Sequence, residues 1–252
     1  MINNKPIPVE KLAGTRYARI LTYPHTDRNQ EKSRIRELRS IGVNAIRLNG
    51  RTMIDGLPVL GKGCVGIVTE AIVEGELAAL KVRRLDADRP SMLEEARLLR
   101  LANAVEVGPR LIGACRNFLV MKLFPGIPLF RWAETAHPSR VQVRNVLENL
   151  LLACFRLDAV GLDHGELSHA PRNVLIDATG TPCIVDFESS SMIRRVANVT
   201  SLLQYFLFGS ISTSLKTPTL FAKRPAILTA LSDYKRESSV ENFQSLLRIL
   251  RL

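Results

Sequence analysis

No apolar run in this 252-residue chain reaches membrane-spanning length, and the opening Met-Ile-Asn-Asn-Lys-Pro has no signal-peptide core. Cysteine is scarce. Cys64, Cys115, Cys154 and Cys183 lie far apart and form no C-x-x-C pair. That spacing argues against a zinc site or a disulfide framework and suits a reducing compartment. Internal repeats and low-complexity tracts are absent as well. These absences together lead to the expectation of a soluble, cytoplasmic globular protein with no membrane partner.

Acidic residues are outnumbered. The chain carries 35 Lys and Arg against 24 Asp and Glu, a net charge of +11. An excess of this size favours polyanionic partners, nucleic acid or an anionic surface, although ordinary surface solvation produces it too. Residues 1–50 hold ten Lys and Arg against four Asp and Glu, so +6 of the +11 sits in one fifth of the chain. Most of it lies in Arg16 and Arg19, then Arg28, Lys32, Arg34, Arg36 and Arg39. Clustering of this kind points to an RNA- or DNA-binding segment, and a solvated helix face looks similar.

Periodicity divides the rest. Residues 1–50 read as a polar, basic N-terminal extension, with a helix over Gln30–Ile41 stopped by Gly42. Residues 57–85 alternate apolar runs with turns and predict strands at Leu57–Leu60, Gly66–Val73 and Leu77–Val82. A helix is expected from Ser91 to about Asn103, where Ser91 and Glu94 have the spacing of a capping box. Phe118–Leu123 reads as a strand, and Ser139 to about Val160 as a long amphipathic helix ended by Gly161. Short strands follow near Asn173–Ile176 and Cys183–Val185, then two or three helices from Ile193 onward. The fold class expected is α+β: a β-rich part over residues 51–123, and a helical part over 124–252.

Three motifs carry chemistry. In the first, Gly61, Lys62, Gly63, Gly66 and Val68 spell G-K-G-x-x-G-x-V between apolar runs. Glycines there let backbone amides approach phosphates, although a hairpin turn also favours glycine. The second lies fifteen residues after Gly66, where Ala78-Ala79-Leu80-Lys81 puts a lysine inside an apolar run. A buried ammonium requires an anion, and Glu95 is the helix carboxylate expected to face it; an edge lysine reaching solvent is the plainer alternative. The third is His164-Gly165-Glu166-Leu167-Ser168, followed by Asn173 and by Asp186-Phe187-Glu188. Glu166 suits a carboxylate that orients an attacking hydroxyl, while Asn173 and Asp186 offer hard oxygens for divalent metal. His164 is expected to pack structurally. His169 and Arg172 could contact substrate or simply sit at the surface.

Taken together, these residues resemble the RIO-like, atypical branch of the protein-kinase superfamily, over roughly residues 9–205. The phrases Gly61-Lys-Gly-Cys-Val-Gly, Leu80-Lys-Val-Arg-Arg and His164-Gly-Glu-Leu-Ser are similar to those of its archaeal serine/threonine kinase group. The resemblance implies a two-lobed kinase-like fold of the RIO type with a truncated helical C-lobe. It implies ATP and Mg2+ (or Mn2+) as cofactors. Lys81, Glu166 and Asp186 would be catalytic, Asn173 and Asp186 would hold metal, and Met121 to Leu123 would form the adenine-side connection between lobes. Some members of the group phosphorylate the ribose 2′-hydroxyl of tRNA, which makes structured RNA the expected partner. Serine/threonine protein kinase activity, or a catalytically inactive ATP-binding scaffold, are the alternatives.

The departures are specific. Glu166 replaces the usual Asp, Asn173 comes two residues late, and DFG has become Asp186-Phe187-Glu188. Only 66 residues (252 − 186) follow Asp186, without an A-P-E motif. A peptide-binding subdomain is therefore not expected, and substrate is expected to dock on the basic N-terminal segment.

Overall fold

The computed structural model describes residues 5–209, 211–215 and 224–252, and no helix among them is long and apolar enough to cross a membrane. The architecture is α+β and divides into two compact units, one comprising residues 1–97 and 110–123, the other residues 98–109 and 124–252.

The first unit is built on strands β1 (Ile7–Pro8), β2 (Val43–Arg47), β5 (Gly61–Lys62), β6 (Gly66–Val73), β7 (Glu76–Arg83), β8 (Leu111–Ala114) and β9 (Phe118–Lys122). They form one seven-stranded sheet in the order β1-β2-β6-β7-β9-β8, with β5 also on β6. Every pairing is antiparallel. The β6–β7 hairpin turns at Glu74 (φ 52°) and Gly75 (φ 84°), the paired left-handed conformation whose twist matches that of the flanking strands. A separate hairpin, β3 (Thr52–Ile54) with β4 (Leu57–Val59), turns on Asp55-Gly56 in the same way.

Residues 5–50, expected as an extension, are integral to this unit. Val9, Leu12, Ile20, Leu21 and Leu38 are buried in one core with Ile46, Ile67, Leu80 and Val120. The helix Arg28–Ser40 is capped by Asp27, whose carboxylate accepts from the Asn29 and Gln30 amides at 2.9 Å. Gly42 (φ 77°) follows its end, as the sequence indicated. The expected capping box at Ser91 forms only in part: the helix runs Leu93–Ala104 and Ser91 accepts from Leu93 N–H, whereas the Glu94 carboxylate is taken by Arg97 at 2.7 Å.

In the second unit the helix Arg140–Ala159 starts with a full capping box, Ser139 and Gln142 bonding reciprocally. It buries Val143, Leu147, Leu150, Cys154 and Leu157. Strands β10 (Gly126–Pro128), β11 (Val174–Asp177) and β12 (Pro182–Ile184) make a small antiparallel sheet. After residue 193 the described helices are Asn198–Phe208, the short Ile211–Ser214, Arg224–Arg236 and Val240–Leu250. Phe155 stacks on Phe243 at 4.3 Å between ring centres and joins the first long helix to the last.

Candidate functional site

Lys81 lies in the middle of β7, paired with Val68 on β6 and Leu119 on β9. Lys81 is 4% exposed, and its ammonium donates to Glu95 Oε1 at 2.9 Å, as the sequence suggested. Taking both charges out of water is costly, and close contact between them offsets that cost. Gly66 explains how the lysine stem fits. A Cβ at position 66 would sit 3.0 Å from Lys81 Cγ, 3.1 Å from Lys81 Cε and 3.1 Å from Val82 O. The glycine therefore opens the lane along which the side chain runs.

The glycine motif itself is a hairpin. Gly61 pairs with Val68 and Lys62 with Ile67, and Gly63 N–H donates to Gly66 O at 2.8 Å. Tyr23, which no motif had singled out, and Arg84, the last residue of the Leu80-Lys-Val-Arg-Arg phrase, hold it from outside. Lys62 donates to the Tyr23 hydroxyl at 2.5 Å with its ammonium 4.7 Å from the ring centre. The Arg84 guanidinium lies 5.3 Å from the same centre, donates to Gly63 O at 2.9 Å and pairs with Asp86. Met121 is half-buried between Ala79 and Leu111, and Leu123 is the last residue of the unit.

The second unit gathers the other group. Glu166 Oε2 accepts from Asn173 Nδ2 at 3.0 Å, while Oε1 accepts from the Ser189 hydroxyl. Asn173 is buried, and its backbone oxygen accepts from Val185 N–H at 2.9 Å, which places Asp186 at the mouth of β12. Asp186 has φ 69° and ψ 73°, a left-handed conformation uncommon for a residue with a side chain. Carboxylate oxygens of Asp186 and Glu188 lie within 4.8 Å of each other. Asp186, Glu188 and the Asn173 amide oxygen are hard donors of the kind Mg2+ takes.

Burial of Phe187 anchors this segment. Its ring meets His164 edge-on at 5.0 Å, and a Cβ on Gly108 would fall 2.8 Å from Phe187 Cε2. His164 is fully buried, with Nε2 3.1 Å from Val185 O and Nδ1 without a hydrogen-bond partner among the described residues. Burial lowers its pKa below the ordinary imidazole value, so it stays neutral and packs, the structural role expected of it. Residues beyond the motif fix the loop. Asn198 accepts from His164 N–H and donates to Asp158 and Leu162 O, each at 2.8 Å. Asp163 and Ser191 exchange two backbone hydrogen bonds of 2.9 and 2.8 Å, and Asp163 ion-pairs with Arg194. Gly165 (φ 85°) lies in the left-handed region, and a Cβ there would fall 2.8 Å from the backbone oxygen of Ser189, so the position favours glycine. Ser189, Asp163 and Arg194 belong to no motif; only their nearness in sequence to His164 and Asp186 marked them.

The basic residues separate into three kinds. Arg34 is corrected: it is fully buried, its guanidinium donating to Leu21 O, to Arg83 O at 2.5 Å and to Asn117 Oδ1 at 3.0 Å. Burial and the nearby Arg83 lower its pKa to about 10. It is a core strut and cannot meet nucleic acid. Arg19 is committed to Asp55 at 2.6 Å, and Arg16 lies over the Tyr17 ring. Arg28, Lys32, Arg36 and Arg39 are exposed along one side of their helix, and none is in a described ion pair with a carboxylate. Arg172 is exposed, and the His169 side chain lies outside the described residues.

No protein-family model matches the chain, and no curated protein matches it.

Proposed function

We propose that this chain is an ATP- and Mg2+-dependent phosphotransferase of the RIO-like atypical kinase type, and that it phosphorylates a ribose 2′-hydroxyl of structured RNA, in the first instance tRNA. The observation that carries the reading is the buried Lys81–Glu95 pair beside Gly66. A desolvated ammonium along the glycine hairpin is poorly explained by stability alone, because an apolar pair would fill the same space at less cost. It suits phosphate oxygens, which Lys81 would hold while Glu95 fixes its direction. On this reading the first unit is the N-lobe and the second the C-lobe.

Glu166 accepts the hydrogen bond of the attacking hydroxyl and takes its proton as that oxygen bonds to phosphorus. The bond from the γ-phosphorus to the β-phosphate oxygen breaks in the same step, with ADP leaving. Asp186 and Asn173 would hold Mg2+, which would supply positive charge to neutralise the phosphates. Residues Arg28, Lys32, Arg36 and Arg39 receive the RNA backbone through its phosphates. Four free thiols fit action in the reducing cytoplasm.

The test is incubation with γ-labelled ATP, total tRNA and total protein from the same cells. Label in nuclease-sensitive material is the expected result. Label confined to protease-sensitive material would replace the RNA acceptor with a protein one, and nucleotide binding without transfer would leave an inactive scaffold.

A further inference from the structure

The departure at Glu166 leaves a mechanical problem. A glutamate has one more rotatable bond than an aspartate, so a free side chain would spread its carboxylate over several positions and lose orienting power. Here both oxygens are held: Asn173 Nδ2 donates to Oε2 at 3.0 Å, and the Ser189 hydroxyl donates to Oε1. A hydroxyl donating to a carboxylate is a charge-assisted bond, stronger than its neutral counterpart.

Ser189 is itself fixed from three directions. It closes the short helical turn Phe187–Ser189, whose first residue is buried. Its carbonyl accepts from Arg194 Nη2 at 2.9 Å. Two residues on, Ser191 is locked to Asp163 by paired backbone bonds. The hydroxyl therefore reaches Glu166 from a rigid support. The bond also reaches beyond Glu166. With Oε1 held by Ser189, Oε2 is presented to Asn173, and the Asn173 amide commits its NH2 there. Its carbonyl oxygen is then the end left for metal.

Resting on the phosphotransfer reading, we propose that Ser189 is a positioning residue, whose hydroxyl sets the carboxylate of Glu166 and through it the orientation of the Asn173 amide. It compensates for the extra methylene that distinguishes Glu166 from an aspartate.

The experiment measures initial rates of γ-label transfer to total tRNA by the full chain and by Ser189→Ala, Ser189→Thr, Glu166→Asp and Ser189→Ala/Glu166→Asp. Ser189→Ala is expected to lower kcat roughly tenfold or more while KM for ATP stays within about twofold, since a misplaced catalytic group costs rate rather than nucleotide binding. Ser189→Thr restores the rate because it keeps the hydroxyl. In the Glu166→Asp background the alanine has little effect, because the shorter carboxylate no longer reaches residue 189. A merely structural serine would behave differently, lowering the melting temperature and acting equally in both backgrounds. Unchanged kcat in Ser189→Ala, or equal losses in both backgrounds, overturns the positioning role while leaving phosphotransfer standing. A wild-type chain that transfers no label to any acceptor overturns both.

Discussion

Lys81 and Glu95 are the residues at which stability and function separate most cleanly. Lys81→Ala leaves a buried carboxylate without its ammonium and is expected to cost about 3–5 kcal/mol in denaturant unfolding. The double variant Lys81→Met/Glu95→Leu removes both charges and keeps the volume. Its stability should match or exceed that of the wild type while label transfer is lost. If the double variant unfolds as readily as Lys81→Ala, the pair is holding the fold and the phosphate reading weakens. His164 gives a pH signature. Its folded pKa lies below the ordinary value of 6.5 because burial disfavours the charged form, so the unfolded chain binds the proton more readily. Stability is therefore expected to decline as pH falls below about 6.5, through the window down to the lowered folded pKa. Asp158, whose pKa burial raises, acts in the opposite sense at lower pH. The difference between the unfolding midpoints of wild type and His164→Asn, followed from pH 7 to 5, isolates the imidazole; a difference independent of pH would contradict the assignment.

At the scale of elements, the glycine hairpin and the basic helix make separate predictions. Gly66→Ala places a methyl group against the Lys81 stem and should weaken ATP binding roughly tenfold, about 1.4 kcal/mol by calorimetry, with the fold retained. Unaltered ATP affinity would show that the lane along Lys81 does not matter to the nucleotide. Replacing Arg28, Lys32, Arg36 and Arg39 by alanine should reduce the slope of log affinity for tRNA against log salt by about one per residue removed. An unchanged slope would move the RNA contact elsewhere. The elements also show what the sequence could and could not convey. β6, β7 and the helix after Ser139 were legible because apolar period, glycine and cap signals agree there. β2, β8 and β10 were not, being short or lacking alternation, and the β3 hairpin was passed over although Asp55-Gly56 is a strong turn signal. Glu94 was misassigned because capping-box spacing cannot reveal that Arg97 competes for the carboxylate.

For the whole molecule, the chief revision concerns the first fifty residues. Their charge suggested a basic N-terminal extension, yet residues from Val9 to Leu38 share the core of the main sheet, and Arg34 spends its charge on backbone carbonyls inside it. Charge counting is blind to burial, so one of the seven expected nucleic-acid contacts was a core residue and another, Arg19, an ion-pair partner. In the candidate site Lys81 meets Glu95 as the sequence indicated, whereas the bond from Asn173 to Glu166 was not foreseen, because spacing alone does not show which side chains of a loop turn toward each other. Ser189 stayed hidden because its contact with Glu166 joins two segments far apart in sequence, which only the fold brings together. Each unit thus carries half of the chemistry proposed for a single reaction. Transfer of γ-label to total tRNA by the wild-type chain, Lys81→Met and Asp186→Ala, each first checked for an intact melting transition, tests that claim most directly. The account predicts label from the wild type and a loss of roughly a hundredfold or more in both variants, one from each unit. Transfer by Asp186→Ala at the wild-type rate would contradict it.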